Sequence, residues 1–132
     1  MIPPFARSFL AGETPAEAVA HATELNNDNI GVILNLLGEH YHDRRAAAAD
    51  TRAYCRLIED IDRADLRACV SVKPTQLGLE ISEDCFREHL EHIVACGEDH
   101  GVFVWIDMED HETTDATLDA FEHHAREHGD VG

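Results

Sequence analysis

Lysine is almost missing from this sequence, whereas acidic residues are abundant. Lys73 is the single lysine among ten basic residues, and these face 27 acidic ones for a net charge of −17. Such a chain lacks the basic patch with which proteins bind nucleic acid or an anionic membrane surface. Many carboxylates with almost no lysine are typical of proteins from a high-salt cytoplasm, where salt screens the self-repulsion. A protein that is simply acidic is the alternative.

Membrane and secretion signals are missing as well. No run of about 18 consecutive apolar residues occurs, so the sequence predicts no transmembrane segment. The stretch 1–15 carries a proline pair and lacks the charged start and apolar core of a secretory signal peptide. The sequence therefore predicts a cytoplasmic protein.

The four cysteines are far apart in the chain, and no CxxC pair occurs. A disulfide framework requires an oxidising compartment, and a zinc knuckle requires closely spaced cysteine pairs. We therefore predict four buried free thiols: Cys55, Cys69, Cys85 and Cys96.

What the sequence does contain is an alternation of amphipathic helices and apolar strands. The apolar spacing predicts helices at 14–26, 43–64, 82–99 and 114–128, and strands at 30–37, 68–73 and 102–108. Each interval between strand ends has room for one strand and one crossover helix, which parallel strands require. About three βα units are predicted, and a fourth strand would begin at Val131.

Two α/β layouts fit this alternation: a doubly wound sheet and a (βα)8 barrel. A complete barrel needs roughly 250 residues, about twice the length of this chain. A dinucleotide-binding sheet would have a glycine-rich turn after its first strand, and here that turn has only Gly38. The pattern alone leaves both layouts open.

Lys73 and Asp107 end two consecutive predicted strands. Side chains alternate across a strand, so Ser71 shares a face with Lys73, and Trp105 shares one with Asp107. We expect these sets, together with Ile33 in the first strand, to face a barrel interior while the β-branched residues face the helices. Ligands bind at this edge of α/β folds. A lysine beside an aspartate there binds a carboxylate or forms a structural ion pair, and the placement of the single lysine favours binding.

Ten histidines raise the question of a metal centre. His124 and His128 lie four residues apart, and His89 and His92 three apart, so each pair can share a helical face. The stretch 111–115 begins like the zinc motif HExxH but lacks the second histidine. Because most histidines neighbour acids on polar helix faces, we predict solvated surface histidines and no metal site.

Five stretches carry a family resemblance: FLAGET (9–14), LLGEH (36–40), VSVKPTQLGLEIS (70–82), IDMED (106–110) and TDAT (114–117). Together, in this order, they resemble the monofunctional proline dehydrogenases. The resemblance implies a (βα)8 barrel that oxidises L-proline to Δ1-pyrroline-5-carboxylate with FAD. It also implies electron transfer to a quinone-type acceptor, and hence a cytoplasmic protein that can be peripheral to the membrane.

The resemblance also implies roles for single residues. Lys73 matches the lysine that contacts the substrate carboxylate, Asp107 an acidic active-site residue, and Met108 a position that contacts the flavin. Gln76 belongs to a loop that shapes the pocket. Pro74 stands where the family has an apolar residue, and a proline there biases Lys73 towards extended backbone.

The resemblance covers the N-terminal half of the family's barrel, so residues 1–132 would be a truncated α/β domain. The family's late arginine pair and most of its flavin contacts would lie outside it. We therefore expect the chain alone to be inactive and to need a C-terminal partner. One alternative is an inactive remnant or split-enzyme half that acts as a partner-dependent interaction module. Another is a different (βα) enzyme in which Lys73 forms a Schiff base.

Overall fold

Four helices and three strands alternate along the chain in a computed structural model that describes residues 3–6 and 10–132. The stretch 9–14 therefore lies partly outside the described residues. The elements are α1 (Pro15–Asn27), β1 (Val32–Leu34), α2 (Arg44–Arg63), β2 (Ala68–Val72), α3 (Glu83–His100), β3 (Val104–Ile106) and α4 (Thr114–Glu127). No helix among the described residues is both long enough and apolar enough to cross a membrane.

The three strands form a parallel sheet in chain order, β1-β2-β3. Val32 pairs with Ala68 in the ladder between β1 and β2, and Val70 pairs with Val104 in the ladder between β2 and β3. A doubly wound sheet reverses its strand order at a switch point, whereas a (βα)8 barrel keeps its strands in sequence. The predicted fourth strand is also visible, since Val131 forms a parallel bridge with Val104. The fold is therefore α/β with the arrangement of a partial barrel.

Two of the predicted strands are shorter than the apolar runs that predicted them. The run at 30–37 is extended in a ladder only over Val32–Leu34, and the run at 102–108 only over Val104–Ile106. Beyond β1 the backbone leaves the sheet, because Leu36 donates its N–H to the Tyr54 hydroxyl at 3.1 Å instead of to a strand carbonyl. The apolar runs continue into loops where Leu37 and Met108 are 81% and 50% exposed, so hydrophobicity overestimated both strand lengths.

Side-chain caps set the helix starts where they were predicted. Thr14 accepts a hydrogen bond from the Glu17 N–H ahead of Pro15, and Ser82 accepts one from the Cys85 N–H at the start of α3. At the other end of α3, Gly101 adopts the left-handed backbone (φ 66°) that a helix C-terminus favours.

The core lies between one face of the sheet and helices α2 and α3. Val70, Val72 and Val104 are fully buried there. They pack with the helix faces that the helical spacing of apolar residues in 43–64 and 82–99 predicts to be inward: Tyr54, Leu57, Ile58, Ile61, Phe86, Leu90, Ile93 and Val94. On the opposite face of the sheet Ile33 and Trp105 are 58% and 44% exposed. The predicted division into a helix-facing and an open set is confirmed for β1 and β3, whereas in β2 Ser71 is buried although it lies on the open face.

Helix α4 presents a different face from the predicted one. Leu118 is 48% exposed, while Thr117, Ala120 and His124 are buried. The contact of α4 with α3 selects this stripe, whose spacing of three and four residues also forms one helical face. The apolar pattern of 114–128 predicts an apolar face with Leu118 and Phe121, and for Leu118 this prediction is wrong.

The predicted burial of cysteines and exposure of histidines needs correction. All four cysteines are free, but only Cys85 is fully buried. His89 and His124 are buried, not solvated. The His89 imidazole is accommodated by a 2.8 Å contact between its Nδ1 and the Leu77 carbonyl oxygen. A histidine in a polar helix sequence can thus be buried where another part of the chain packs over it.

Candidate functional site

A cleft of about 310 Å³ opens at the carboxyl ends of the strands. It is lined by Glu39, His40, Lys73, Asp107, Met108, Glu109 and Asp110. The three predicted site residues, Lys73, Asp107 and Met108, therefore come together at one cleft. They do so because β2 and β3 are parallel neighbours whose carboxyl ends meet at the same edge.

Lys73 is paired with a carboxylate from the loop after β1. Its Nζ donates a hydrogen bond to Glu39 Oε2 at 2.7 Å, and the two side chains are 31% and 54% exposed. This hydrogen bond raises the pKa of Lys73 and lowers the pKa of Glu39. A Schiff-base lysine needs a lowered pKa, so the geometry opposes that alternative. Lys73 is a permanent cation suited to binding a carboxylate.

Asp107 is held at the end of the sheet by two hydrogen bonds to β2. Its carboxylate accepts one from the Ser71 hydroxyl, and its backbone N–H donates one to the Val72 carbonyl at 2.9 Å. Ser71 is only 8% exposed, so it holds the carboxylate from beneath the cleft. The negative charge of Asp107 is a further, smaller contribution to the raised pKa of Lys73. Both predicted polar residues thus belong to one electrostatic unit.

Sequence reasoning missed Thr75, which joins three loops at the strand ends. Its N–H and hydroxyl donate to the two carboxylate oxygens of Glu109 at 2.8 and 2.7 Å. Its hydroxyl and carbonyl oxygens accept from the N–H groups of His40 and Tyr41 at 3.1 and 3.0 Å. Glu109 therefore fixes the loop that carries Lys73. Only the polar character of Thr75 beside an apolar strand pointed to it.

A buried polar network lies beneath the cleft. Gln76 is fully buried, and its amide donates to Asp50 at 2.7 Å and to the Leu36 carbonyl at 3.3 Å. The Tyr54 hydroxyl lies 2.8 Å from the Ser71 carbonyl and 3.3 Å from Gln76 Oε1. Burial raises the pKa of Tyr54 far above its usual value, so the phenol keeps its proton. These bonds connect the end of β1, helix α2 and the loop after β2.

The charges in the cleft favour one kind of ligand. Four carboxylates surround a single lysine, with His40 at the edge. A hydrogen bond to Glu80 raises the pKa of His40. The negative group of a small zwitterion can interact with the lysine and its positive group with the carboxylates, whereas the carboxylates would mostly repel a polyanion.

Apolar surface lies next to these charges. Met108 is 50% exposed at the cleft, and Trp105 and Ile33 are exposed on the open face of the sheet. A flat aromatic ring system such as a flavin ring fits such a surface. The residues that line the cleft offer no cluster of cations for a pyrophosphate, so they fit the ring end of a dinucleotide only.

Comparison with known sequences identifies relatives over most of the chain. The sequence model of the family "Proline dehydrogenase" matches residues 18–130. "Proline dehydrogenase 1" of Bacillus subtilis (strain 168) is 31% identical over 116 residues, and "Proline dehydrogenase" of Deinococcus radiodurans is 32% identical over 119. Each alignment covers 88% of this chain and 38% of the relative. The chain therefore spans well under half the length of these curated relatives.

Comparison with solved structures supports the fold. The crystal structure of proline utilization A from Bdellovibrio bacteriovorus, inactivated by N-propargylglycine, superposes with a TM-score of 0.78 at 22% identity. The match covers 89% of this chain and 15% of that protein. The backbone described above is thus a recurrent arrangement of helices and parallel strands within a larger protein.

Proposed function

The chain belongs to the proline dehydrogenase family, and on that basis we propose that its cleft is part of a site that oxidises L-proline to Δ1-pyrroline-5-carboxylate with FAD. The observation that carries the proposal is the meeting of Lys73, Asp107 and Met108 at one strand-end cleft. Because the chain spans 38% of its relatives' length, the proposal concerns the part of the site that these residues supply.

Lys73 is proposed to bind the carboxylate of proline. Its ammonium already holds a carboxylate, that of Glu39, in an exposed and therefore exchangeable pair. The substrate carboxylate would replace Glu39 as the partner of the ammonium. Glu39 thereby keeps the lysine extended over the cleft before proline arrives.

Asp107 is proposed to accept a hydrogen bond from the proline amine. A carboxylate has capacity for more than one donor, and the Ser71 hydroxyl occupies Oδ1. An amine placed between Asp107 and the carboxylate on Lys73 would be fixed at two points. Such fixation orients the ring carbon that loses hydride.

Met108, with the exposed face that includes Trp105 and Ile33, is proposed to contact the flavin ring. FAD, when bound, supplies the redox chemistry by accepting the hydride that leaves proline. The fit of apolar surface next to a zwitterion site supports this assignment. The positive charges for the pyrophosphate would come from other parts of the barrel.

We extend the proposal to the setting of the site. Residues 1–132 would form the N-terminal part of a barrel domain, completed by a C-terminal half that pairs with the strand starting at Val131. A quinone-type acceptor would receive the electrons, in the cytoplasm or at the membrane periphery. The scarcity of lysine in so acidic a chain supports adaptation to high salt.

The test is co-expression of the chain with a segment that completes the barrel. Bound flavin absorbance and proline-dependent dye reduction are measured for wild type, Lys73→Met, Lys73→Arg and Glu39→Gln. We expect Lys73→Met to lower kcat/KM roughly 100-fold, mainly through KM, because a charge-assisted hydrogen bond is lost. Lys73→Arg should recover part of the loss, and Glu39→Gln should leave KM unchanged or lower it.

Two results would count against the proposal. Unchanged KM for proline in Lys73→Met would remove the assigned role of the lysine. A folded complex without flavin or activity would instead support a non-catalytic, partner-dependent interaction module.

A further inference from the structure

A second cluster of polar side chains lies where α3 and α4 pack together, and none of its members lines the strand-end cleft. It consists of Glu91 in α3, His124 in α4 and His128 at the C-terminal cap of α4. His124 Nδ1 lies 3.0 Å from Glu91 Oε2, and His128 Nε2 lies 3.4 Å from Glu91 Oε1. The two imidazoles are 1% and 11% exposed.

Three buried nitrogens in this cluster lack a hydrogen bond. Among the described residues, neither ring nitrogen of His124 nor Nε2 of His128 has a hydrogen-bond partner. Glu91 oxygens lie within ion-pair distance of His124 Nδ1 and His128 Nε2. Buried polar atoms without partners are rare in folded proteins and call for an explanation.

The separations match those of ligand atoms that share one metal ion. Zinc binds histidine nitrogen and carboxylate oxygen at about 2.0–2.2 Å, so tetrahedral ligand atoms lie about 3.3 Å apart. The two imidazole–carboxylate separations, which involve different oxygens of Glu91, lie on either side of this value. One ligand atom from each of the three residues lies within 4.8 Å of the other two. A cation bound by the three side chains would ligate nitrogens that otherwise have no hydrogen bond.

Glu98 gives His128 the support that metal-binding histidines usually have. The Nδ1 of His128 contacts Glu98 in a short hydrogen bond, and its Nε2 lies 3.4 Å from Glu91 Oε1. Such a carboxylate fixes the tautomer and the ring orientation of a ligand histidine.

We propose that Glu91, His124 and His128 bind one divalent transition metal ion, with zinc as the best fit. The ligand set of two histidines and one carboxylate leaves a fourth tetrahedral position for water. Because the ligands come from both helices, the ion would clamp α4 onto α3. This site is independent of the proposed proline-oxidising function.

Another cluster, Glu59, Cys96 and His100, carries no such proposal. Burial raises the pKa of the Cys96 thiol to about 12, and the thiol donates to the Cys55 carbonyl. His100 Nδ1 already lies 2.7 Å from Asp62. The Cys96 thiol and the His100 imidazole thus already have hydrogen-bond partners. This cluster serves as an internal control for metal binding.

The test is a titration of the metal-free 132-residue chain with Zn²⁺, followed by calorimetry, and with Co²⁺, followed by absorption. We expect one tight equivalent and a rise in the thermal midpoint of about 5 °C or more in excess Zn²⁺. His124→Ala and His128→Ala should each lose this equivalent. His92→Ala, which removes an exposed histidine of α3, and Cys96→Ser should retain it.

Two further variants guard against unfolding by the histidine substitutions. Glu91→Gln changes a side chain that is 46% exposed, and it should weaken Zn²⁺ binding at least about 10-fold while circular dichroism stays unchanged. Glu98→Gln should weaken it about 10- to 100-fold through His128. Absence of a tight equivalent in the wild type, equal binding in Glu91→Gln, or its loss in Cys96→Ser instead would overturn the proposal.

Discussion

Two polar layers meet at the carboxyl ends of the strands, and they differ in burial. The lower layer centres on Gln76 and Tyr54, which are fully buried and bonded to the surrounding backbone. The upper layer centres on Lys73 and Glu39, which are partly exposed and bonded to each other. Gln76 lies three positions after Lys73, so one short loop carries both layers.

The difference in burial separates support from binding. A buried hydrogen bond is costly to break, because the remaining donor or acceptor is then left without a partner and has no access to water. An exposed ion pair contributes little and can exchange partners. The lower layer therefore holds the loop geometry, and the upper layer is available to a ligand. The following predictions test this contrast, from the largest expected effect on stability to the smallest.

Removal of the Gln76 amide should have the largest effect. We expect Gln76→Ala to reduce the free energy of unfolding by about 2–4 kcal/mol, since it strips partners from Asp50 and Tyr54 and leaves a cavity. Urea unfolding monitored by circular dichroism measures the change. Asn35→Ala, which removes an exposed amide near the end of β1, should change stability by less than about 0.5 kcal/mol. Equal losses in both variants would contradict the contrast.

The hydroxyl of Thr75 should come next. Thr75→Val keeps the shape of the side chain and the backbone bond to Glu109 but removes the hydroxyl's bonds with Glu109 Oε1 and the His40 N–H. We therefore expect a loss of about 1–2 kcal/mol. Thr75→Ser keeps the hydroxyl and is the matched control. An unfolding curve for Thr75→Val that coincides with that of the wild type would show that the three loops do not depend on this residue.

Lys73 should matter little for stability. We expect Lys73→Met to change the free energy of unfolding by less than about 1 kcal/mol, because the pair with Glu39 is exposed. The same variant carries the largest expected effect on proline binding. A loss as large as that of Gln76→Ala would place Lys73 in the supporting layer instead.

The smallest effect should come from His40 at the rim of the cleft, and it should depend on pH. The hydrogen bond to Glu80 raises the pKa of His40 above its usual value near 6.5, so its contribution is complete below that value and is lost as pH rises through the folded-state pKa. Glu80→Gln should therefore lower the thermal midpoint at pH 6 and leave it nearly unchanged at pH 9. A midpoint difference that is the same at both pH values would exclude this linkage.

Much of the fold and part of the site could be predicted from local pattern. The alternation of side chains along β2 and β3 predicted that Lys73 and Asp107 meet, and the structure places both at the cleft. Thr75 and Glu109 could not be predicted as a pair, because 34 residues separate them and their bond depends on how two loops meet. Strand lengths were overestimated for a related reason, since a side chain of α2 takes over the hydrogen bond that would have extended β1.

The sequence by itself determined where the helices start, approximately where the strands lie, and which face of β1 and β3 is covered. These follow from caps and from the periods of 3.6 and 2, which involve only near neighbours. Only the tertiary structure decided that Glu39 pairs with Lys73, that His124 rather than Leu118 turns inward, and that His124 meets Glu91. Those contacts join residues distant in the chain, and helix packing and loop closure select them among many combinations that the local pattern allows equally.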